Sequence, residues 1–109
     1  MAYKLHISRS AQKELDGIVQ YMVEQLCNPK AASDFLDLLD EKYEFLAENP
    51  KMYPLARDFQ LRRRGYRMLK AKNFLLLYRI IEDEKTVNIA GIFYDGEEYW
   101  KKIFQSVEE

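Results

Sequence analysis

Two apolar stripes at helical spacing, separated by Asn28-Pro29, are the feature that most restricts how this chain can fold. In each stripe apolar residues recur every three or four positions, which places them on one face of a helix. Asparagine suits a helix N-cap and proline suits the first helical position, so this pair ends one helix and begins another. We therefore expect an antiparallel helical hairpin whose second helix stops near Asn49-Pro50. The first stripe contains Ala11, Leu15, Ile18, Met22 and Leu26, and the second contains Ala32, Phe35, Leu36, Leu39, Tyr43 and Leu46.

The other elements have the pattern of β-strands. A short strand precedes the hairpin, where apolar Tyr3, Leu5 and Ile7 alternate with polar residues. Residues 50–65 have no clean period and indicate a loop with room for one helical turn. Three further strands are predicted at 66–71, 74–81 and 86–94, and their short polar turns favour antiparallel pairing. On the last strand we expect one face to carry Val87, Ile89, Gly91 and Phe93.

The predicted fold class is α+β. An N-terminal strand and the helical hairpin precede a three-strand antiparallel meander that completes a twisted sheet, and a short C-terminal helix follows. That last helix is suggested by the apolar residues Tyr99, Trp100, Ile103 and Phe104. We expect all 109 residues to form a single domain, since this length suffices for one core.

Composition restricts location and chemistry. The single Cys27 cannot form an internal disulfide, and no apolar run has the length of a signal peptide or a membrane span. We therefore expect a soluble cytoplasmic protein. The sequence has no metal-ligand cluster, phosphate loop or Ser-His-Asp set, so we expect no metal and no other cofactor.

A net charge of −1 conceals a strong segregation of charge. Residues 57–79 contain eight basic and one acidic residue, or +7, whereas the remainder contains nine basic and seventeen acidic residues, or −8. We expect these cations to gather on one side of the sheet and to attract an anionic partner. The overall pI of 5.9 argues against general coating of nucleic acid.

Five segments of the sequence matter together through their order and spacing: Tyr3-Lys4-Leu5 leading into Ser8, Ala11 and Leu15, then Asn28-Pro29-Lys30-Ala31-Ala32, Leu46-Ala47-Glu48-Asn49-Pro50, Gly65-Tyr66-Arg67 and the strand from Phe74 to Ile80. In that order and spacing they resemble the RelE/ParE superfamily of bacterial toxins over about residues 3–104. The resemblance implies a toxin of a type II toxin–antitoxin module, encoded beside an antitoxin that wraps and neutralises it. RelE-like members cut mRNA in the ribosome, and ParE-like members inhibit DNA gyrase.

A RelE-like activity would be metal-independent RNA cleavage, which needs a base, cations for the developing phosphorane charge and a proton donor. The catalytic candidates implied by that resemblance are Arg67, Lys70, Arg79 and Tyr94. The match is partial, because Leu75 stands where RNA-cutting relatives carry arginine. Acidic residues also follow the last strand where those relatives carry a basic cluster. The only histidine, His6, lies in the first strand and is poorly placed for a general acid.

Three hypotheses follow. We favour a ParE-like toxin that inhibits gyrase, arrests growth and contributes to plasmid stabilization. The alternative is a RelE-like ribosome-dependent mRNA endonuclease, and the third is a degenerate member that is not toxic. In each case the protein partner is the antitoxin, and the target is gyrase or the ribosome with its mRNA. For Arg62-Arg63-Arg64 the alternative is a solvated loop that binds nothing. The candidates for contact with the partner or target are Arg62, Arg63, Arg64, Lys72, Tyr99 and Trp100.

Overall fold

The computed structural model describes residues 2–95, and within them the α+β order predicted from the sequence is confirmed. The predicted C-terminal helix lies outside the described residues. The strands and helices are β1 (Lys4–Ile7), α1 (Arg9–Gln20), α2 (Pro29–Glu48), α3 (Phe59–Arg63), β2 (Tyr66–Ala71), β3 (Phe74–Ile81) and β4 (Thr86–Tyr94).

The helix boundaries follow local signals in the sequence. The hydroxyl of Ser8 caps α1 by accepting a hydrogen bond from the Ala11 amide at 3.1 Å. A π-helical turn, Tyr21–Gln25, extends α1, and Cys27 then turns the chain with a left-handed φ of 51°. The Asn28 side chain caps α2 through the Ala31 amide at 3.1 Å, with Pro29 in the first helical position. The predicted restart of the helix is therefore confirmed.

The sheet has the strand order β1-β4-β3-β2. Strands β2, β3 and β4 form the predicted antiparallel meander, and β1 lies beside β4 in parallel. Lys72, at the β2–β3 turn, has a φ of 55°, as a tight hairpin requires. The N-terminal strand thus becomes one edge of the sheet, and β2 becomes the other.

Two hydrophobic clusters lie on opposite faces of the sheet. The larger one is formed under α1 and α2, where Phe35 and Leu39 pack against Leu76, Tyr78 and Ile89. The smaller cluster lies on the other face, under α3 and the loop before it. Its buried members are Ala56, Leu61, Tyr66, Leu77, Ala90 and Phe93.

A β-bulge in β4 changes which face of the sheet its alternating side chains point to. Leu77 pairs with Gly91 and its neighbour Tyr78 pairs with Ile89, so Ala90 is the extra residue. Val87 and Ile89 consequently face the helices, whereas Phe93 joins the opposite cluster. The prediction that all four alternating residues share one face was wrong, because an inserted residue reverses the alternation.

The free edge of β2 is covered by the loop that follows α2. The Met68 amide donates to the Pro54 carbonyl at 3.1 Å, and the Ala56 amide donates to the Tyr66 carbonyl at 2.9 Å. Leu55 bridges Arg67 between these bonds. This short pairing covers an edge that would otherwise expose backbone groups, and it fixes the loop that leads into α3.

Candidate partner-binding surfaces

The cations of residues 57–79 do not share one face of the sheet. Along β2, Tyr66 and Met68 belong to the smaller cluster and Leu69 to the larger one, so Arg67 faces the helices and Lys70 faces away. The prediction that these cations gather on one side was therefore wrong. Alternation within a single strand separates neighbouring charges.

Arg67 is engaged with the backbone of the loop after α2. Its guanidinium donates to the Tyr53 carbonyl at 2.6 Å and to the Lys51 carbonyl at 3.3 Å. Directly across the β2–β3 pair, the Tyr78 hydroxyl donates to the Pro50 carbonyl at 2.8 Å. Burial raises the pKa of Tyr78 to about 12, although the charge of Arg67 opposes this shift. Both side chains therefore hold the loop against the sheet.

Lys70 and Arg79 lie on the opposite face, and each has a neighbour. The Lys70 ammonium pairs with the Asp95 carboxylate at 3.4 Å, and both side chains are about half exposed or more. The Arg79 guanidinium lies over the Tyr66 ring, 5.2 Å from its centroid. In the register of β2 and β3, Lys70 lies opposite Leu75, four residues before Arg79 on β3. Lys70 and Arg79 are therefore separated by roughly 13 Å along the strands.

A cavity of about 340 Å³ opens beside Lys70 on this face. Its cationic groups are Arg57 and Lys70, and Asp95 contributes one carboxylate. The remaining lining is apolar and consists of Pro54, Leu55, Met68 and Leu75.

Helix α3 follows Arg57, one of the lining residues of this cavity, by two residues in the chain. Asp58 caps the helix through the Leu61 amide at 3.1 Å, and Leu61 is fully buried. Arg62 donates to the Arg57 carbonyl at 3.1 Å and to the Ala56 carbonyl at 3.3 Å, so it stabilises the preceding loop. Phe59, the first residue of this helix, is 65% exposed.

A second concave surface lies on the helix side of the molecule. It is a groove of about 610 Å³ between the C-terminal half of α1 and the adjoining ends of β3 and β4. Tyr21, Leu26 and Tyr94 are each more than half exposed along it, although Leu26 was expected in the buried stripe. The residues that line the groove are Glu14, Gly17, Ile18, Tyr21, Met22, Leu26, Asn73, Phe74, Ile92 and Tyr94.

Comparison with known families decides what kind of protein this is. The model of the ParE toxin of the type II toxin–antitoxin system parDE matches residues 5–99. The chain belongs to the ParE toxin family. No curated protein matches the sequence significantly.

Solved structures share the fold of this ParE-family toxin at low sequence identity. One is from the chromosomal ParDE system of P. aeruginosa, with a TM-score of 0.67 and 22% identity, covering 85% of this chain and 96% of that chain. Another is the RelE toxin of E. coli in the free state, with a TM-score of 0.65, 18% identity and coverage of 98% and 99%. A third is the RelBE2 complex of Mycobacterium tuberculosis, with a TM-score of 0.62, 17% identity and coverage of 86% and 99%.

The ParE-family toxin thus distributes the predicted site residues over separate surfaces. Arg67 and Tyr94 lie on the helix side of the sheet, and Lys70 and Arg79 lie on the other side. Arg62, Arg63 and Arg64 are exposed around the C-terminal end of α3, and Lys72 is exposed in the β2–β3 turn. Tyr99 and Trp100 lie outside the described residues.

Sequence reasoning identified some of the residues that line the two concave surfaces, such as Lys70 and Tyr94, but missed others. Nothing in the sequence pattern distinguishes Arg57 from the other cations, and none of the predicted site residues is Phe59 or Tyr21. For Phe59 the signal available in the sequence was an apolar residue within a polar segment, and for Tyr21 it was an apolar residue outside the helical stripe. Such a residue marks a binding surface only when the structure leaves it exposed.

Across residues 2–95 the ParE-family toxin has neither a membrane-spanning helix nor a metal-binding cluster. No helix in this range is long and apolar enough to cross a bilayer. Nor does the range contain three or more His, Cys, Asp or Glu side chains grouped to hold a metal ion.

Proposed function

We propose that this toxin arrests growth as a ParE-like inhibitor of DNA gyrase and does not cleave RNA. The separation of the four catalytic candidates is the main support. Phosphoryl chemistry needs its base, cations and proton donor within hydrogen-bonding reach of one phosphate. Here the sheet separates Arg67 and Tyr94 from Lys70 and Arg79, and the last two are themselves about 13 Å apart along the strands.

The chemistry around Lys70 further supports a non-nucleolytic activity. Asp95 forms an ion pair with this lysine, and Leu75 contributes an apolar surface where RNA-cutting relatives carry arginine. In the sequence, Glu97 and Glu98 follow shortly after. The Asp95 carboxylate beside Lys70 would repel an RNA backbone, whereas a protein target tolerates it.

Two parallel assays test this proposal. Purified toxin should block supercoiling of a relaxed plasmid by gyrase, and addition of the antitoxin should restore it. In cells arrested by induced toxin, transcripts should remain intact when their 5′ ends are mapped. Cut messages with active gyrase would instead indicate a RelE-like endonuclease. Normal growth after induction without antitoxin would indicate a degenerate member.

We also propose that the groove beside α1 takes an apolar segment of the antitoxin. The neighbouring ParDE and RelBE structures come from toxin–antitoxin systems, which supports such a partner. Exposed Tyr21 and Leu26, together with Tyr94, offer large apolar anchors around a concave surface. Burial of such anchors provides the free energy for a tight neutralising complex.

Aspartate substitutions in the groove provide the test. Leu26→Asp should weaken antitoxin binding by about tenfold or more, because a charge would be buried without a partner. Growth arrest should persist and become harder to neutralise. Met52→Asp is the matched control, since Met52 is 68% exposed and does not line the groove. Equal antitoxin affinity in both variants would place the antitoxin elsewhere.

A further inference from the structure

We propose that the cavity between Arg57 and Lys70 is the site at which the toxin holds its protein target. Its ligand would be an acidic side chain flanked by apolar residues on the surface of the target protein. This inference rests on the proposed function, in which the target is a protein and not RNA. The occupant is deduced from the charge, shape and rigidity of the cavity.

The charge of the cavity calls for a carboxylate. The structure already contains one such contact, because the Asp95 carboxylate lies 3.4 Å from the Lys70 ammonium. The Lys70 and Asp95 side chains are 65% and 48% exposed, so water screens their attraction and an incoming carboxylate can replace Asp95. Across residues 2–95, the guanidinium of Arg57 makes no hydrogen bond or ion pair and is available to the same ligand.

The rest of the lining calls for apolar neighbours of that carboxylate. The uncharged lining consists of Pro54, Leu55, Met68 and Leu75. In the sequence, exposed Phe59 follows Arg57 by two residues. A phosphate backbone would gain little from these groups and would be repelled by Asp95. A protein segment with an acidic residue between apolar ones matches both parts of the surface.

The site is also pre-organised, which favours binding to a folded target. Backbone pairing of residues 54–56 with β2 fixes one wall of the cavity. The two hydrogen bonds from Arg62 fix the carbonyls of Ala56 and Arg57. A wall that is already ordered loses little conformational entropy on binding. The antitoxin is assigned to the larger apolar groove, where more surface is available for burial.

Charge reversal tests the assignment in the full-length toxin. Arg57→Glu and Lys70→Glu should each raise the toxin concentration needed to inhibit gyrase by about tenfold and should abolish growth arrest. Lys13→Glu is the matched control, because Lys13 is exposed on α1 and does not line the cavity. All three variants should retain the wild-type melting temperature and antitoxin affinity.

Asp95→Asn provides a test in the opposite direction. It removes the internal competitor for Lys70, so the variant should inhibit gyrase at a concentration a few times lower than the wild type does. The backbone hydrogen bond from the Asp95 amide to the Asn73 carbonyl, at 2.8 Å, is unaffected by this change. A gain of activity is not expected from a substitution that merely damages the fold.

The outcomes separate this inference from the proposed function. If wild-type toxin leaves gyrase active, the proposed function fails. The role of the cavity is then tested only by whether the charge-reversal variants still arrest growth. Growth arrest and gyrase inhibition that survive both charge reversals would overturn the inference. So would a loss of antitoxin binding in Arg57→Glu and Lys70→Glu, which would make the cavity part of the antitoxin interface. Cleaved transcripts that depend on Lys70 would assign the cavity to RNA instead.

Discussion

Arg67 and Tyr78 lie opposite each other on β2 and β3, and both donate hydrogen bonds to carbonyls of the loop that follows α2. Arg67 binds the Tyr53 and Lys51 carbonyls, and Tyr78 binds the Pro50 carbonyl. The pair connects the end of the helical hairpin to the sheet. Arg67, a catalytic candidate in the sequence, is thus already engaged in holding this loop.

Arg67→Ala should lower the free energy of unfolding by about 1.5–3 kcal/mol, because hydrogen bonds from a charged donor are lost. The effect is measured by urea denaturation, with Lys72→Ala as the control, since Lys72 is an exposed turn residue without such bonds. If Arg67→Ala is as stable as the wild type but no longer arrests growth, Arg67 acts directly on the target.

Tyr43 and Tyr78 form a matched pair for a second prediction. Both have a pKa raised to about 12, chiefly by burial, but only Tyr78 makes a hydrogen bond through its hydroxyl. The Tyr43 hydroxyl is buried without a partner within residues 2–95. Tyr78→Phe should destabilise the protein by about 0.5–1.5 kcal/mol, and Tyr43→Phe should be neutral or stabilising. Chemical denaturation of both variants measures this, and equal losses would contradict the hydrogen-bond assignment.

The acid dependence of stability should include a contribution from Glu82. Partial desolvation tends to raise its pKa, but hydrogen bonds from Lys85 and Lys51 outweigh this and leave the pKa below the ordinary value of 4.5. The carboxylate also accepts a hydrogen bond from Tyr3 at 3.2 Å. Ionised Glu82 therefore stabilises the fold above pH 4.5, and this contribution is lost as the pH falls through the lowered pKa.

Glu82→Gln should consequently flatten the decline in stability below that pH. Urea midpoints measured across the acidic range test this, with Glu48→Gln as the control, because Glu48 is exposed and has no ion pair within residues 2–95. Parallel curves for wild type and Glu82→Gln would show that the cluster around Glu82 contributes nothing to folding.

Gly91 and Gly17 should respond oppositely to alanine. A Cβ atom at Gly91 would fall against the ring of Phe93, so Gly91→Ala should cost about 1–3 kcal/mol through overpacking. At Gly17, within α1, a Cβ atom meets open space, and Gly17→Ala should stabilise the helix by about 0.5–1 kcal/mol. Thermal melting of the two variants decides this, and a stabilised Gly91→Ala would mean that Phe93 moves freely.

The amino-acid sequence by itself determined where the elements begin and end. Ser8, Asn28 and Pro29 specify helix starts through their own side chains, and the short polar turns specify an antiparallel meander. These signals act within a few residues, so they are visible without knowledge of the partner strands. The order and spacing of the elements were also enough to indicate the toxin superfamily.

Only the tertiary structure decided which residues share a surface. The bulge at Ala90 reverses the faces of β4, and Arg67 on the helix side donates to carbonyls that are distant in sequence. The cavity between Arg57 and Lys70 likewise exists because the loop pairs with the edge of β2. Each of these features depends on contacts between remote segments, and local periodicity carries no information about such contacts.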